Sequence, residues 1–489
     1  MEGTDDTSGK LGRKVLVGTV WSSVERFGSL GLQFAVNLVL ARLLTPGDFG
    51  YITVLALFMA VSQVLIDGGF ATALIQKREP TQTDYSVTFV WNLVLSLIFY
   101  GILFVTAPLI ASVERMPLLT EIIRVFCLSL LLSALAQVQI IRLRKNLAFG
   151  MIAAVNLGSY AAGGALGIWL AMNGAGAWSL VWMQVCNSAV AALCFNLFSR
   201  WHPGFRFNME SFRQLFGYGG YLLAATIFQE ICKNIQSLLI GWRYSATQVG
   251  LYGQAHKLDQ INSYAIPQVL VQVMFPFYSR IQNDRERLAL VLGKCVRIIA
   301  LFIFPLITLL IVIAEPLIVW LFGEQWRECA PYFRILCIGG LFTSLQNINF
   351  YAVAARGHSR VLFQWSFYKW GSLLVLLLCG MNFGMFGMMW AMALSNANIF
   401  FVNALLAKRY VGYSLWAQVR SLLPFAGACL VAAAVPLAVY FRSVYRGEQG
   451  PYMWGMAAMF AAVYTATVFL FRFRVLTDIK YIYQTVIKR

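Results

Sequence analysis

About fourteen apolar runs divide this chain, at roughly 15–44, 49–75, 84–110, 120–141, 148–172, 176–198, 217–241, 258–280, 296–322, 331–355, 361–381, 385–407, 421–441 and 453–471. A helix needs roughly 20 apolar residues to cross the hydrocarbon core of a bilayer. Backbone amides in lipid must be paired within the segment or around a closed barrel, and these runs are too long and too apolar for barrel strands. The expected fold is therefore an all-α polytopic membrane protein of about 14 transmembrane helices. With 60% of its 489 residues hydrophobic and only 12% charged, the chain has no soluble alternative.

The net charge of +18 invites a nucleic-acid reading, but the basic residues lie in short gaps between the apolar runs. That is the placement of the positive-inside rule, and no nucleic-acid partner is expected. The N-terminal tail, the loops on its side and the C-terminal tail hold 26 Lys and Arg, against 8 in the opposite loops. Both termini are therefore expected in the cytoplasm. The remaining four, Arg26, Arg124, Lys233 and Lys369, fall inside apolar runs. The first run is too long for a signal-peptide core and reads as a retained span.

Two stretches repeat. "ARLLTPGDFGY" (41–51) follows the first run and "GWRYSATQVGLY" (241–252) follows the seventh. "NGAGAW" (173–178) is echoed by "NFGMFGMMW" (382–390). The offset is about 200 residues each time, as for two six-helix units in a parallel repeat. The organisation read from this is a tail at 1–12, a six-helix lobe at 13–198, a linker at 199–216, a second six-helix lobe at 217–408, and two further helices with a tail at 409–489. In the linker, Phe207, Phe212, Leu215 and Phe216 share a face, which predicts a short interfacial helix.

In the first run, Ser22, Arg26, Ser29, Gln33 and Asn37 recur at helical spacing, and Glu25 sits about 100° from Arg26. A charge at mid-bilayer costs at least ~2.5 kcal/mol, so this face avoids lipid. Either it pairs with other helices to fix packing, or it lines a watery cavity. The seventh run repeats the pattern. Thr226, Glu230, Lys233 and Ser237 share a face, with Gln229, Asn234 and Gln236 close by. Here a Glu230–Lys233 pair at i, i+3 is the packing alternative. Lys369 lies mid-run between Trp365 and Trp370, too deep to snorkel easily. Gln260, Asn262, Ser263, Pro267 and Pro276 predict a bent polar helix, and Gln346, Asn347 and Asn349 fit helix bonding or sugar contact equally.

Enzyme chemistry has little support. His202, His256 and His358 are far apart, and no zinc-protease, phosphate-loop or nucleophile-elbow motif occurs. The nine cysteines have no metal-ligand spacing. Neither a metal nor a cofactor is expected.

The segment "WSSVERFGSLGLQFAVNLVLARLLTPGDFGYITVLALFMAVSQVLIDGGFATALIQKREPTQTDYSVTFVWN" (21–92) closely resembles the start of bacterial polysaccharide and O-antigen flippases of the colanic-acid exporter type. These belong to the multidrug/oligosaccharidyl-lipid/polysaccharide exporter superfamily. The likeness continues through "GAWSLV" (176–181), "VGLYGQAHKLDQI" (249–261), "VMFPFYSRIQND" (273–284), "LFGEQW" (321–326) and "ARGHSR" (355–360). It implies two six-helix lobes around a V-shaped cavity in the bacterial inner membrane. It also implies transfer of undecaprenyl-diphosphate-linked oligosaccharide by alternating access, driven by a proton or a sodium gradient. The implied partners are the lipid-linked substrate, membrane lipid and the polysaccharide polymerase machinery. Such a cavity needs cations for phosphate and amides for sugar. Arg26, Lys233 and Lys369 meet the first need; Gln33, Asn37, Gln229, Asn234 and Gln236 meet the second. Glu25 and Glu230 are the candidate coupling carboxylates. The alternatives are an ion-coupled multidrug exporter of the same superfamily, whose cavity would favour carboxylates, and a membrane-embedded glycosyltransferase or polymerase, which would need a larger loop.

Overall fold

The computed structural model describes residues 5–77, 79–199, 204, 208–357, 359–444 and 452–470. His202, Phe207, His358 and the C-terminal tail after Leu470 lie outside these. Among the described residues the chain is helical, without a strand. It divides into two compact units, Met1–Gly250 and Leu251–Arg489.

The first unit contains α1 (Asp5–Leu43), α2 (Pro46–Asp67), α3 (Phe70–Gln76), α4 (Gln82–Val113), α5 (Leu119–Phe126), α6 (Leu128–Lys145), α7 (Phe149–Met172), α8 (Ala177–Phe198) and α9 (Met209–Arg243). Capping boxes open α2 and α4. Thr45 and Thr81 each cap an Asp three residues on, and the Asp48 and Asp84 carboxylates accept the threonine backbone N–H in return. Helix α1, which carries the first candidate face, packs on α7, and α7 packs on α8. The small residues of α7 permit this close approach. A Cβ on Gly164 would stand 2.6 Å from Val36 of α1, and one on Gly163 2.6 Å from the Met183 carbonyl of α8.

The two repeated stretches fold alike. In each, a helix ends, two residues turn, and the next helix begins at Pro46 or at Ala246, the first residue of α10 (Ala246–Gln260). Thr45 and Ser245 take equivalent capping places, accepting from the backbone N–H of Asp48 and Gln248, each at 3.4 Å. The two turns also touch. A Cβ on Gly50 would lie 2.0 Å from the Ala246 carbonyl oxygen, and one on Gly250 1.8 Å from that of Pro46. Only glycine fits at either place, because the obstacle is backbone. The second echo holds locally as well: Gly176 and Gly384 stand at the entrances of their helices, both at positive φ.

One expectation is corrected. The linker does not hold a separate interfacial helix. Its second half is the start of α9, which continues unbroken to Arg243. Asn208 caps this helix by accepting from the Glu210 backbone N–H at 2.8 Å. Part of its aromatic face then packs on other helices of unit 1. Phe212 and Leu215 join Phe70, Ala73, Leu74 and Ile141, and Phe212 meets Trp91 with ring centroids 4.9 Å apart.

The second unit holds most of α10, a π-helical turn Ile261–Ala265, α11 (Ile266–Arg280), α12 (Arg285–Val312), α13 (Ala314–Phe322), α14 (Cys329–Ala355), α15 (Ser359–Gly380), α16 (Gly384–Tyr410), α17 (Leu415–Val444) and α18 (Tyr452–Leu470). Its centre is α14, packed between α12 and α16. The expected bend after α10 is this π turn, next to Pro267. Proline has no N–H for the Ser263 carbonyl, and the Ser344 hydroxyl of α14 approaches that oxygen at 3.5 Å.

Among the described residues, nine helical stretches are long and apolar enough to cross a membrane, one of them running through both α15 and α16. Helices α1, α9, α10–α11 and α14 are not among the nine. These helices carry charges and amides already singled out in their apolar runs.

Candidate functional site

The structure splits the candidate face of α1 in two. Glu25 is half-buried and turned towards α7, where Asn156 Nδ2 donates to its Oε1 at 2.6 Å. Tyr160, one turn further along α7, hydrogen-bonds the side chains of Gln33 and Asn187. Glu25 and Gln33 thus join a polar ladder between α1 and its neighbours. Asn156, Tyr160 and Asn187 went unnoticed in the sequence, although Asn156 and Tyr160 stand at i, i+4 in an apolar run. Arg26 is different. It is exposed, and it makes no hydrogen bond or ion pair among the described residues. Asn37, further along α1, is half-buried.

On α9, Lys233 Nζ and Glu230 Oε1 are 2.7 Å apart, with the side chains 45% and 22% exposed. The pair expected at i, i+3 is present, and it is open to its surroundings. Asn234 donates to the Glu230 carbonyl at 3.0 Å, and Gln229 is exposed beside them. Gln236 is apart from this group. It is buried, and its Oε1 has no hydrogen-bond partner among the described residues. The exposed set on α9 is therefore Gln229 and Lys233, with Glu230 and Asn234 half-buried at its edge.

In unit 2, Lys369 is half-buried on α15. Its ammonium lies 4.8 Å from the centre of the Trp370 ring and 5.9 Å from that of Trp365. Of the α14 amides, Asn349 serves packing. Asn349 and Gln418 of α17 exchange two hydrogen bonds at 2.9 and 3.2 Å, both fully buried. Asn403 of α16 donates to the Gln346 carbonyl at 3.1 Å. The "LFGEQW" stretch is also structural. Trp326 is fully buried, and Arg327 pairs with Glu324 at 2.7 Å and Glu315 at 3.5 Å.

Among the buried carboxylates that sequence reasoning missed is Glu114. Glu114 follows the last residue of α4 and is 2% exposed, although nothing in its spacing distinguishes it from a solvated loop residue.

Many membrane helices, with charges and amides held at mid-helix, make this a polytopic membrane protein of the transport class. Residues 39–331 match the model of the polysaccharide biosynthesis protein family, and the chain belongs to that family. It is 25% identical to the lipopolysaccharide biosynthesis protein WzxC of Escherichia coli K12, over 73% of each chain. It is 26% identical to the succinoglycan biosynthesis transport protein ExoT of Rhizobium meliloti 1021, over 71% of this chain and 70% of that one. In fold it is similar to the lipid II flippase MurJ in an inward closed conformation. The TM-score is 0.73 at 13% identity, over 93% of this chain and 98% of the other.

Proposed function

We propose that this protein flips a lipid-linked oligosaccharide repeat unit across the bacterial cytoplasmic membrane by alternating access, in the assembly of a surface polysaccharide. The observation that carries this reading is the two exposed cations at mid-helix, Arg26 on α1 and Lys233 on α9. A guanidinium in lipid costs at least ~2.5 kcal/mol, so its exposed face belongs to water. A diphosphate crossing hydrocarbon needs such cations, and its sugars need amides. Arg26 offers the planar fork that takes two phosphate oxygens at once; Lys233 offers a point charge. Gln229, Asn234 and Asn37 are assigned to the sugars. The family membership and the transport protein named among its relatives support this reading.

Both termini lie in the cytoplasm on this reading, and the chain performs no covalent chemistry. Deletion of the gene is expected to abolish the surface polysaccharide and to accumulate the lipid-linked repeat unit inside the cell. The wild-type chain restores the polymer; Arg26→Gln does not. Normal polymer in the deletion strain, with gained sensitivity to cationic drugs, would replace this reading with a drug exporter.

A further inference from the structure

Glu114 closes α4 at the end away from Asp84. Its side chain is 2% exposed, and Oε2 has no hydrogen-bond partner among the described residues. Helix α9 lies against it. A Cβ built on Gly241 would stand 2.0 Å from Glu114 Oε2 and 2.9 Å from Val54 of α2. The carboxyl therefore fills the space that a side chain at position 241 would need. An ionised, unpartnered carboxylate is a costly occupant of such a place, and a neutral one far less so.

No cation on the neighbouring elements pairs with it among the described residues. On α2, Asp48 is held in the Thr45 cap, Tyr51 is half-buried, and Asp67 accepts from Gln137. On α9, Glu230 and Lys233 pair with each other, and the Arg243 guanidinium lies over Tyr244. Arg115 and Glu121 are exposed, and Arg124 of α5 sits over Phe104 of α4. None of these pairs with Glu114 among the described residues. Burial alone pushes its carboxyl up from 4.5 to about 7.

We propose that Glu114 is the proton-binding site of the transport cycle, protonated while α9 is seated against it and ionised when α9 withdraws. This rests on the transport reading above and names its coupling ion. The step is a proton transfer only. Seating forms an O–H bond at Glu114 with a proton taken from water; withdrawal breaks that bond and returns the proton to water. The seated form binds the extra proton. Its stabilisation is therefore complete below pH 4.5 and is lost as the pH rises through about 7.

The test uses the full-length chain reconstituted in vesicles. Infrared difference spectra across a pH titration should show a protonated-carboxyl C=O band vanishing near pH 7 in the wild type and missing in Glu114→Gln. Gly241→Ala displaces the carboxyl, and its band should titrate at lower pH. An inward or outward proton gradient should change the flipping rate of a labelled lipid-linked oligosaccharide by the wild type. Glu114→Gln should flip at least about tenfold more slowly and ignore the gradient. A sodium gradient is the comparison arm. The same band in wild type and Glu114→Gln, or an undiminished proton response in that variant, overturns the proposal. If Glu114→Gln fails to fold, an unmoved titration in Gly241→Ala overturns it instead. A wild type that never flips, yet shows the titrating band, refutes the transport reading and leaves the proton site standing.

Discussion

Removing both charges of the α9 pair, with Glu230→Gln and Lys233→Gln together, distinguishes three surroundings by the sign of the stability change. The pair is 2.7 Å apart, with Lys233 45% and Glu230 22% exposed. If that exposed surface meets lipid, each charge costs at least ~2.5 kcal/mol, and neutralising both should stabilise the protein by several kcal/mol. If the surface meets water, the pair is an ordinary open one, and its loss should cost no more than ~1 kcal/mol. A dry interior gives a third pattern: Lys233→Gln alone should destabilise by roughly 3–5 kcal/mol, because Glu230 loses its partner, and the second change should recover much of that. The exposure argues against a dry interior, and the cost of a charge in lipid argues for water. We therefore expect both the single and the double variant to stay within ~1 kcal/mol of wild type. The assay is the thermal midpoint of the detergent-purified protein, with folded yield by size exclusion and flipping per folded molecule. We expect unchanged yield and at least a tenfold loss of flipping in Lys233→Gln, with Lys233→Arg retaining part of it. A several-fold drop in folded yield of the single variant that the double variant repairs would refute the water-facing reading. Full activity per folded molecule would refute the substrate role.

Other outcomes follow from the same contacts. Arg26→Gln should leave the thermal midpoint within a few degrees of wild type but lower flipping at least about tenfold, since no internal pair depends on it; Arg26→Lys should fall in between, losing the bidentate grip. Asn349→Leu should cost about 1–3 kcal/mol by stranding the Gln418 amide, and adding Gln418→Leu should recover part of the loss, read by thermal unfolding. Gly50→Ala and Gly250→Ala should each cost more than about 2 kcal/mol in thermal unfolding, because the new methyl meets a carbonyl oxygen that cannot swing aside.

The helical architecture was legible because its signal is coarse. A run of apolar residues states its own length and needs no partner to be recognised. The turns near 45 and 245 were legible as a repeat because their glycines sit at a fixed offset, but their capping hydroxyls were not picked out. The site was legible only in part. Helical spacing placed Arg26 and Lys233 on polar faces, but it does not say what each face meets. Glu25 turns to Asn156 of α7, 131 residues away in sequence, and no periodicity within α1 contains that partner. Gln236 was grouped with Lys233 because i, i+3 residues share a side of a helix, yet the packing around it, one turn further along α9, buries it, and the spacing within α9 does not contain that packing. Glu114 was invisible because its character comes from a glycine 127 positions away that leaves room for it. The linker helix was misjudged because an aromatic face suits a membrane surface and a protein surface equally, and only the packing on Phe70 and Trp91 distinguishes them.

The crossing of the two turns has the reciprocity of a homodimer contact written into a single chain. Gly50 meets Ala246, and its counterpart Gly250 meets Pro46, the counterpart of Ala246. Such an isologous contact implies a local two-fold axis passing between the glycines. In a true homodimer one substitution changes both sides of the axis at once. Here each turn carries its own residues: Asp48 stands opposite Gln248 when the turns are laid over one another, and Phe49 opposite Val249. The positions nearest the axis still carry the same residue.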